Sequence, residues 1–363
     1  MNNTPIEYAI DGAIGHLVLA QPRTLNALTL EMIIALHDAL SRLEADQRVK
    51  AIIIRSNSER AFCAGGDMKN IRQLCLNNDH ASVREFFERE YALNKAIADC
   101  SKPYIAIIDG VAMGGGLGLS VHGHFRVVTE QAVLAMPESR IGFFPDVGGS
   151  YFLPRLPQRC GYWLGLTAAS VKGAEAVRTG LATHFIPGNS LDSLLLDLAR
   201  ALPDLQQDLA GAFTDSQQEQ TAGTNQPDTS GSANFNTNNR ASQIVEQCLA
   251  NHAALPDLSE FELKLQQREK WFSDDDLPGI RSRLAQAAQN NDDAKHLLEL
   301  LNSGSPYSLS TTLDLFARTQ SLSLEECLAL EFETGTAACL HPDLVEGVRA
   351  VLVDKDRRPA WQP

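Results

Sequence analysis

Two acids lie in the most apolar stretch of the chain. Glu138 follows Val133-Leu134-Ala135-Met136-Pro137, and Asp146 sits within Phe143-Phe144-Pro145-Asp146-Val147-Gly148-Gly149. A carboxyl group withdrawn from water holds its proton more tightly and can serve as acid, base or nucleophile. Ordinary roles are open to both: Glu138 as a strand-end residue, Asp146 as a turn residue before two glycines. Two glycine-rich turns add a second element of chemistry. One is Phe62-Cys63-Ala64-Gly65-Gly66-Asp67, the other Met113-Gly114-Gly115-Gly116. Each comes after a strand-like segment and before a helix-like one. Glycine lets the backbone approach a ligand closely, and a helix start leaves N–H groups without partners. Two such turns can aim two backbone donors at one oxygen as an oxyanion hole, or they can be simple tight turns. Neither has the spacing of a P-loop or of a dinucleotide-binding fingerprint.

Other chemistries are poorly supplied. His122 and His124 flank Gly123 with no set of Cys, His and Asp at metal-ligand spacing, which favours a structural role for both. Ser120 lies in Gly118-Leu119-Ser120-Val121-His122, which departs from the G-x-S-x-G nucleophile pattern. The seven cysteines are scattered, with no CxxC, and read as free thiols in a reducing compartment. A cytoplasmic location is the expectation, because Met1 to Glu7 does not have the form of a secretory signal. No apolar run reaches the length that spans a bilayer. The formal charge of −14 disfavours nucleic acid and anionic membrane as partners. A polyanionic ligand would need a local basic pocket.

These candidates are carried by an alternation of strand-like and helix-like segments. Ile14 to Leu19 reads as a strand. Thr29 caps a helix from Leu30 to about Leu43, with Met32, Ile33, Leu36, Leu40 and Leu43 at helical spacing. Ala51 to Ile54 is a short buried strand, Ser56 to Met68 a loop, and Val83 to Ala98 a helix. Tyr104 to Ile108, Phe125 to Val128 and Val133 to Met136 read as strands. Leu117 to Val121 reads as a buried helix. The rhythm is that of an α/β domain. The run from Thr214 to Arg240 is rich in Gln, Asn, Ser, Thr and Gly, and reads as flexible linker. The expected division is a core at 1–203, a polar linker or insertion at 204–240 and a helical region at 241–363. With 363 residues and 44% apolar content, material for a large core is ample.

Taken together, Thr24-Leu25-Asn26-Ala27-Leu28, Phe62 to Asp67 and Gly110 to Gly118 resemble the signature segments of the enoyl-CoA hydratase/isomerase, or crotonase, superfamily. Longer stretches, GGGLGLSVHGHFRVVTE and AMPESRIGFFPDVGGSYFLPRL, together with Glu346 to Asp356, resemble its thioester-hydrolase branch. The resemblance implies an α/β crotonase fold, a superhelix of ββα units with a helical C-terminal extension. It implies hydrolysis of a short 3-hydroxyacyl-CoA thioester, with 3-hydroxyisobutyryl-CoA, an intermediate of valine breakdown, as the expected substrate. Carried over by position, the N–H groups of Gly66 and Gly115 would form the oxyanion hole, and Glu138 and Asp146 would be the catalytic carboxyls. Glu90 would contact substrate, and Leu25, Ala27, Ala64 and Gly65 would line the CoA path. No metal or redox cofactor is implied, since CoA is part of the substrate. The acyl-CoA is the expected partner, and self-association is left open. Many hydratases carry a second glutamate two residues after the glycine triplet. Gly118 occupies that position here, which disfavours the alternative of a hydratase or isomerase on the same fold.

Overall fold

The computed structural model describes residues 4–203 and 230–362. Ten strands form two sheets. They are β1 (Ile6–Asp11), β2 (Ile14–Leu19), β3 (Ala51–Ser56), β4 (Ala61–Cys63), β5 (Tyr104–Ile108), β6 (Val111–Met113), β7 (Phe125–Val128), β8 (Val133–Ala135), β9 (Ser170–Lys172) and β10 (His184–Phe185). The larger sheet runs β1-β2-β3-β5-β7-β10, and the smaller runs β4-β6-β8-β9. Three times the chain passes from a strand of the large sheet to a short strand of the small one: β3 to β4, β5 to β6 and β7 to β8. Strands gained in this way are parallel within each sheet. Each crossing needs a sharp corner. At Gly110, between β5 and β6, φ is +113° and a β-carbon would sit 2.7 Å from the Arg60 carbonyl oxygen, so only glycine fits.

The helices are α1 (Leu30–Ala45), α2 (Met68–Leu76), α3 (His80–Asp99), α4 (Gly115–Gly118), α5 (Gly149–Phe152), α6 (Cys160–Thr167), α7 (Glu175–Arg178) and α8 (Leu191–Ala201). A second series follows: α9 (Ser230–His252), α10 (Ser259–Trp271), α11 (Leu277–Ala287), α12 (Asp292–Ser303), α13 (Pro306–Arg318), α14 (Leu324–Ala338) and α15 (Pro342–Val348). Thr29 caps α1 as expected, its side chain accepting from the Met32 N–H, and the five expected core positions of that helix are all buried.

Strand alternation divides the core into two faces. Ile52, Ile54, Tyr104, Ala106 and Ile108 face one way, into a core that α1, α3 and the C-terminal helices complete. Ile53, Ile105, Ile107 and Val127 face the other way, under α8 and α9 through Leu194, Leu198, Val245 and Leu249. The first of these cores extends from Ile6 to Val348, so α10 to α15 are packed into the same interior as the sheets.

Two readings need correction. The loop expected from Ser56 to Met68 contains β4, and the glycine turn after β5 contains β6. Both are three-residue strands, too short to show alternation. The linker expected at 204–240 ends early, because α9 begins at Ser230. Its polar composition hid a helix whose later turns, from Ala241 on, are anchored under the large sheet. The rest of that expected linker, 204–229, lies outside the described residues.

Candidate active site

The two glycine turns meet where the small sheet ends. Strand β4 leads into Ala64-Gly65-Gly66, and its neighbour β6 leads into Gly114-Gly115. The Gly65 carbonyl accepts from the Leu28 N–H at 2.8 Å, and Leu25 accepts from Ala64 at 3.0 Å, which locks the first turn from behind. Asn26 reinforces this lock. It is fully buried at φ +55°, and its amide donates to Ser56 Oγ at 2.7 Å and to the Phe62 carbonyl at 2.9 Å. Gly115 opens α4, so its N–H has no helical acceptor. A β-carbon placed on Gly115 would lie 3.4 Å from the Gly66 nitrogen, and one on Gly65 would lie 3.6 Å from the Gly115 nitrogen. The two N–H groups therefore border one small space.

Three carboxyls surround that space. Glu90 comes from the buried face of α3, and Glu138 from a single 3-10 turn, Glu138–Ile141, that follows β8. Asp146 lies on the segment just before α5. They are only 3%, 6% and 6% exposed. Glu90 Oε1 would be 2.5 Å from a β-carbon on Gly115, and Glu138 Oε1 equally close to one on Gly114. Any side chain on the glycine pair would displace an acid. Tyr91 donates to Asp146 Oδ2 at 2.8 Å. Among the described residues, Glu90 Oε1 and Glu138 Oε2 have no hydrogen-bond partner.

Burial governs the proton affinity of all three. It pushes Glu138 well above the usual carboxylate range, with Asp146 and then Glu90 adding like-charge repulsion. Glu90 is raised well above that range by burial and by Asp146. Asp146 is pushed up to about 7 by burial, against the pull of the Tyr91 hydrogen bond. Such a cluster shares its protons, and each carboxyl titrates as part of the group.

A cavity of about 820 Å³ opens onto the cluster. Its inner end holds Gly66, Gly115, Glu90, Glu138 and Asp146. Phe87, Ile141 and Phe143 supply apolar wall, and Arg140, Arg268 and Arg357 supply positive charge. Arg140 Nε is buried without a partner, and burial and the nearby Arg357 lower that group's proton affinity. Here is the local basic lining that a net charge of −14 would not suggest. Arg357 and the neighbouring Val351 and Leu352 reach the cavity from beyond α15. That helix is pressed against the Glu138 turn: a β-carbon on Gly142 would lie 2.1 Å from the Asp343 carbonyl oxygen, and one on Gly347 would lie 2.4 Å from the Ile141 carbonyl carbon.

Seven of the nine expected site residues are thus gathered at the cavity. Leu25 and Ala27 are not among its lining; they stay partly exposed and belong to the segment that braces Ala64 and Gly65. The histidines have structural partners. His122 Nε2 lies 2.7 Å from the Val147 carbonyl, and His124 Nδ1 accepts from the Tyr104 N–H. Among the described residues no group of side chains is arranged to hold a metal ion, and no helix is long and apolar enough to cross a membrane. All seven cysteines are free. Tyr91 and the basic rim were not foreseen. Tyr91 adjoins the flagged Glu90 on the buried face of α3, so helical periodicity carried a usable signal.

The family model described as enoyl-CoA hydratase/isomerase matches residues 14–363. The chain belongs to that family. Among curated proteins, mitochondrial 3-hydroxyisobutyryl-CoA hydrolase of Gallus gallus is 38% identical over 97% of this chain and 83% of its own length. The Homo sapiens protein of the same name is 37% identical over 97% and 82%. Among solved structures, a carnitinyl-CoA dehydratase from Mycobacterium thermoresistibile superposes with a TM-score of 0.80 at 32% identity, covering 98% of this chain and 91% of that one. An enoyl-CoA hydratase from Rhodobacter sphaeroides 2.4.1 gives 0.75 at 30% identity, covering 99% and 92%. The fold is the crotonase fold, as the resemblance implied, and in this enoyl-CoA hydratase/isomerase family member α10, α12 and the segment after α15 help line the cavity at the end of the small sheet.

Proposed function

We propose that this chain hydrolyses a short 3-hydroxyacyl-CoA thioester, with 3-hydroxyisobutyryl-CoA as substrate, in a step of valine breakdown. One observation carries the choice of hydrolysis over hydration. The position where many hydratases carry their second glutamate is Gly118, and the space beside it is filled. A β-carbon there would lie 2.8 Å from Asn94 Nδ2 and 2.8 Å from Val147 Cβ. The second acid would come instead from Asp146, whose chain neighbour Val147 packs against Gly118. Near-full-length similarity to curated 3-hydroxyisobutyryl-CoA hydrolases supports the same reading.

The thioester oxygen would sit between the Gly66 and Gly115 N–H groups. Charge grows on that oxygen in the tetrahedral transition state, so the two donors bind it more strongly there than in the ground state. In a cavity with little water, each donor is worth roughly 3–4 kcal/mol of barrier, the range found for oxyanion holes. Glu138, beside the first turn of α4, attacks the carbonyl carbon and expels the CoA thiolate, leaving a mixed anhydride that water then opens. Alternatively it takes the proton of a water that attacks directly. Asp146, held by Tyr91, orients the attacking group and exchanges its proton. Glu90, whose burial favours its protonated form and whose Oε1 has no partner, is placed to hydrogen-bond the substrate near its carbonyl. Arg140 and Arg357 at the rim suit the phosphates of CoA. The chemistry needs no redox change, and a thiolate leaves without strong acid assistance. The free cysteines fit a reducing compartment such as the cytoplasm.

The test is release of CoA, followed by chromatography, from 3-hydroxyisobutyryl-CoA and crotonyl-CoA offered separately. Fast release from the hydroxyacyl thioester alone is the expected result. Addition of water to crotonyl-CoA without free CoA would overturn the reading. Single turnover in ¹⁸O-water, with mass analysis of the peptide holding Glu138, separates the two routes: label in that carboxyl marks the anhydride.

A further inference from the structure

Asp146 is carried by a segment with an unfavourable backbone. Val147 has φ +52°, a left-handed conformation that a β-branched residue adopts only when its surroundings impose it. Gly148 follows at φ +82°. Two buried side chains hold this turn. His122, kept neutral because burial lowers its pKa to about 4, donates from Nε2 to the Val147 carbonyl at 2.7 Å. The second is Glu331, on α14 and 0% exposed. Its Oε2 accepts from the Gly148 N–H at 2.7 Å, and its Oε1 accepts from the Ser150 N–H at 2.8 Å and from Ser150 Oγ at 2.5 Å. Three donors within three residues converge on one carboxyl group. One turn later on α14, Gly335 leaves room for the active-site ring that holds Asp146: a β-carbon there would lie 3.5 Å from the Tyr91 hydroxyl and 3.2 Å from Phe143. The same helix face thus seats both the segment bearing Asp146 and that residue's hydrogen-bond donor.

We infer that Glu331 is a positioning residue: from the C-terminal helical region it fixes the strained Val147-Gly148 turn and thereby the direction in which Asp146 meets the substrate. It reaches no cavity surface and touches no reacting atom. The inference rests on the hydrolase reading only in assigning Asp146 a role in turnover. Burial and then the charge of Asp146 push Glu331 up to about 8, against the pull of its Ser150 and Gly148 hydrogen bonds. Glu90, Tyr91, Glu138 and Cys339 also face Asp146 from α3, the Glu138 turn and the end of α14, while Cys327 and Tyr91 face Glu331.

The experiment compares wild type, Glu331→Gln and Ser150→Ala on whichever thioester the wild-type protein turns over best. Absence of CoA release in wild type would therefore count against the hydrolase reading and not against this one. In Glu331→Gln, kcat falls at least tenfold while KM stays within twofold. Ser150→Ala keeps the carboxyl and two of its three donors, and lowers kcat severalfold at unchanged KM and near-normal melting temperature. A folded Glu331→Gln protein with wild-type kcat, or one whose loss falls on KM instead of kcat, overturns the inference. If that variant does not fold, Ser150→Ala decides alone, and a kcat within twofold of wild type overturns it.

Discussion

The Tyr91 hydroxyl donates to Asp146 Oδ2 across 2.8 Å, inside a pocket where both residues are buried. This bond is the one influence from a neighbouring side chain that favours the ionised form of Asp146 against the cost of burial. Tyr91→Phe removes it. An acid limb of kcat/KM that reports loss of the Asp146 proton should move to higher pH. A pH series of initial rates checks this, and superimposable profiles would remove the bond from the account.

Asp146 also sets a cost for stability. Its pKa is about 7 in the folded chain and near the ordinary carboxylate value when unfolded, so the folded state binds the extra proton between those values. Its contribution is full below about pH 4, by the usual carboxylate range, and is lost as pH rises through about 7. Asp146→Asn keeps an acceptor for Tyr91 and removes that loss. The variant should melt a few degrees above wild type at pH 8, with the difference closing near pH 4, while turnover drops by orders of magnitude. Melting curves at the two pH values read the first effect directly; an equal shift at both would point to packing alone.

Gly118 separates this chain from the hydratase pattern for a steric reason. Asn94 and Val147 already occupy the space a side chain would need. Gly118→Ala should cost about 1–3 kcal/mol, the usual range for overpacking a close-packed interior. Gly118→Glu should cost more and bring no hydration of crotonyl-CoA. A well-folded Gly118→Glu protein that gained hydratase activity would show that this single position decides the reaction.

Much of this was legible in the sequence, and the limits are physical. The 3.6-residue spacing gave α1 and α3, and the β-branched run at 51–54 gave β3, because those patterns are local. The glycine turns and the acids at 138 and 146 were visible as residue types in apolar company. Hidden were β4 and β6, three residues each, and α2, whose one fully buried residue is Ile71. Glu331 was missed because its partners lie over 180 positions away. Its signal was present all the same: Cys327, Leu328, Gly335 and Ala338 share its helix face, so an acid stood on a stripe that had to be buried.

The polar run before α9 invites a deletion. Removing 217–229 should leave kcat and melting temperature near wild type, since so polar a composition has little apolar surface to contribute to a core. Extending the cut to Asn238 takes away the first turns of α9 and should lower the melting temperature, because that helix helps cover the large sheet. Equal behaviour of the two deletions would show that the first turns of α9 contribute nothing to its anchoring.

The cavity draws its inner wall from residue 64 and part of its rim from residue 357. On a ribosome, the acids and both glycine turns emerge long before the chain that encloses them. A growing polypeptide therefore holds its reactive groups in an open, watery cleft, where carboxyls keep ordinary acidity and an oxyanion hole competes with solvent. Competence waits until the chain through residue 357 has emerged, and a message truncated before that point encodes a protein with the right acids and glycine turns but part of its enclosing rim missing.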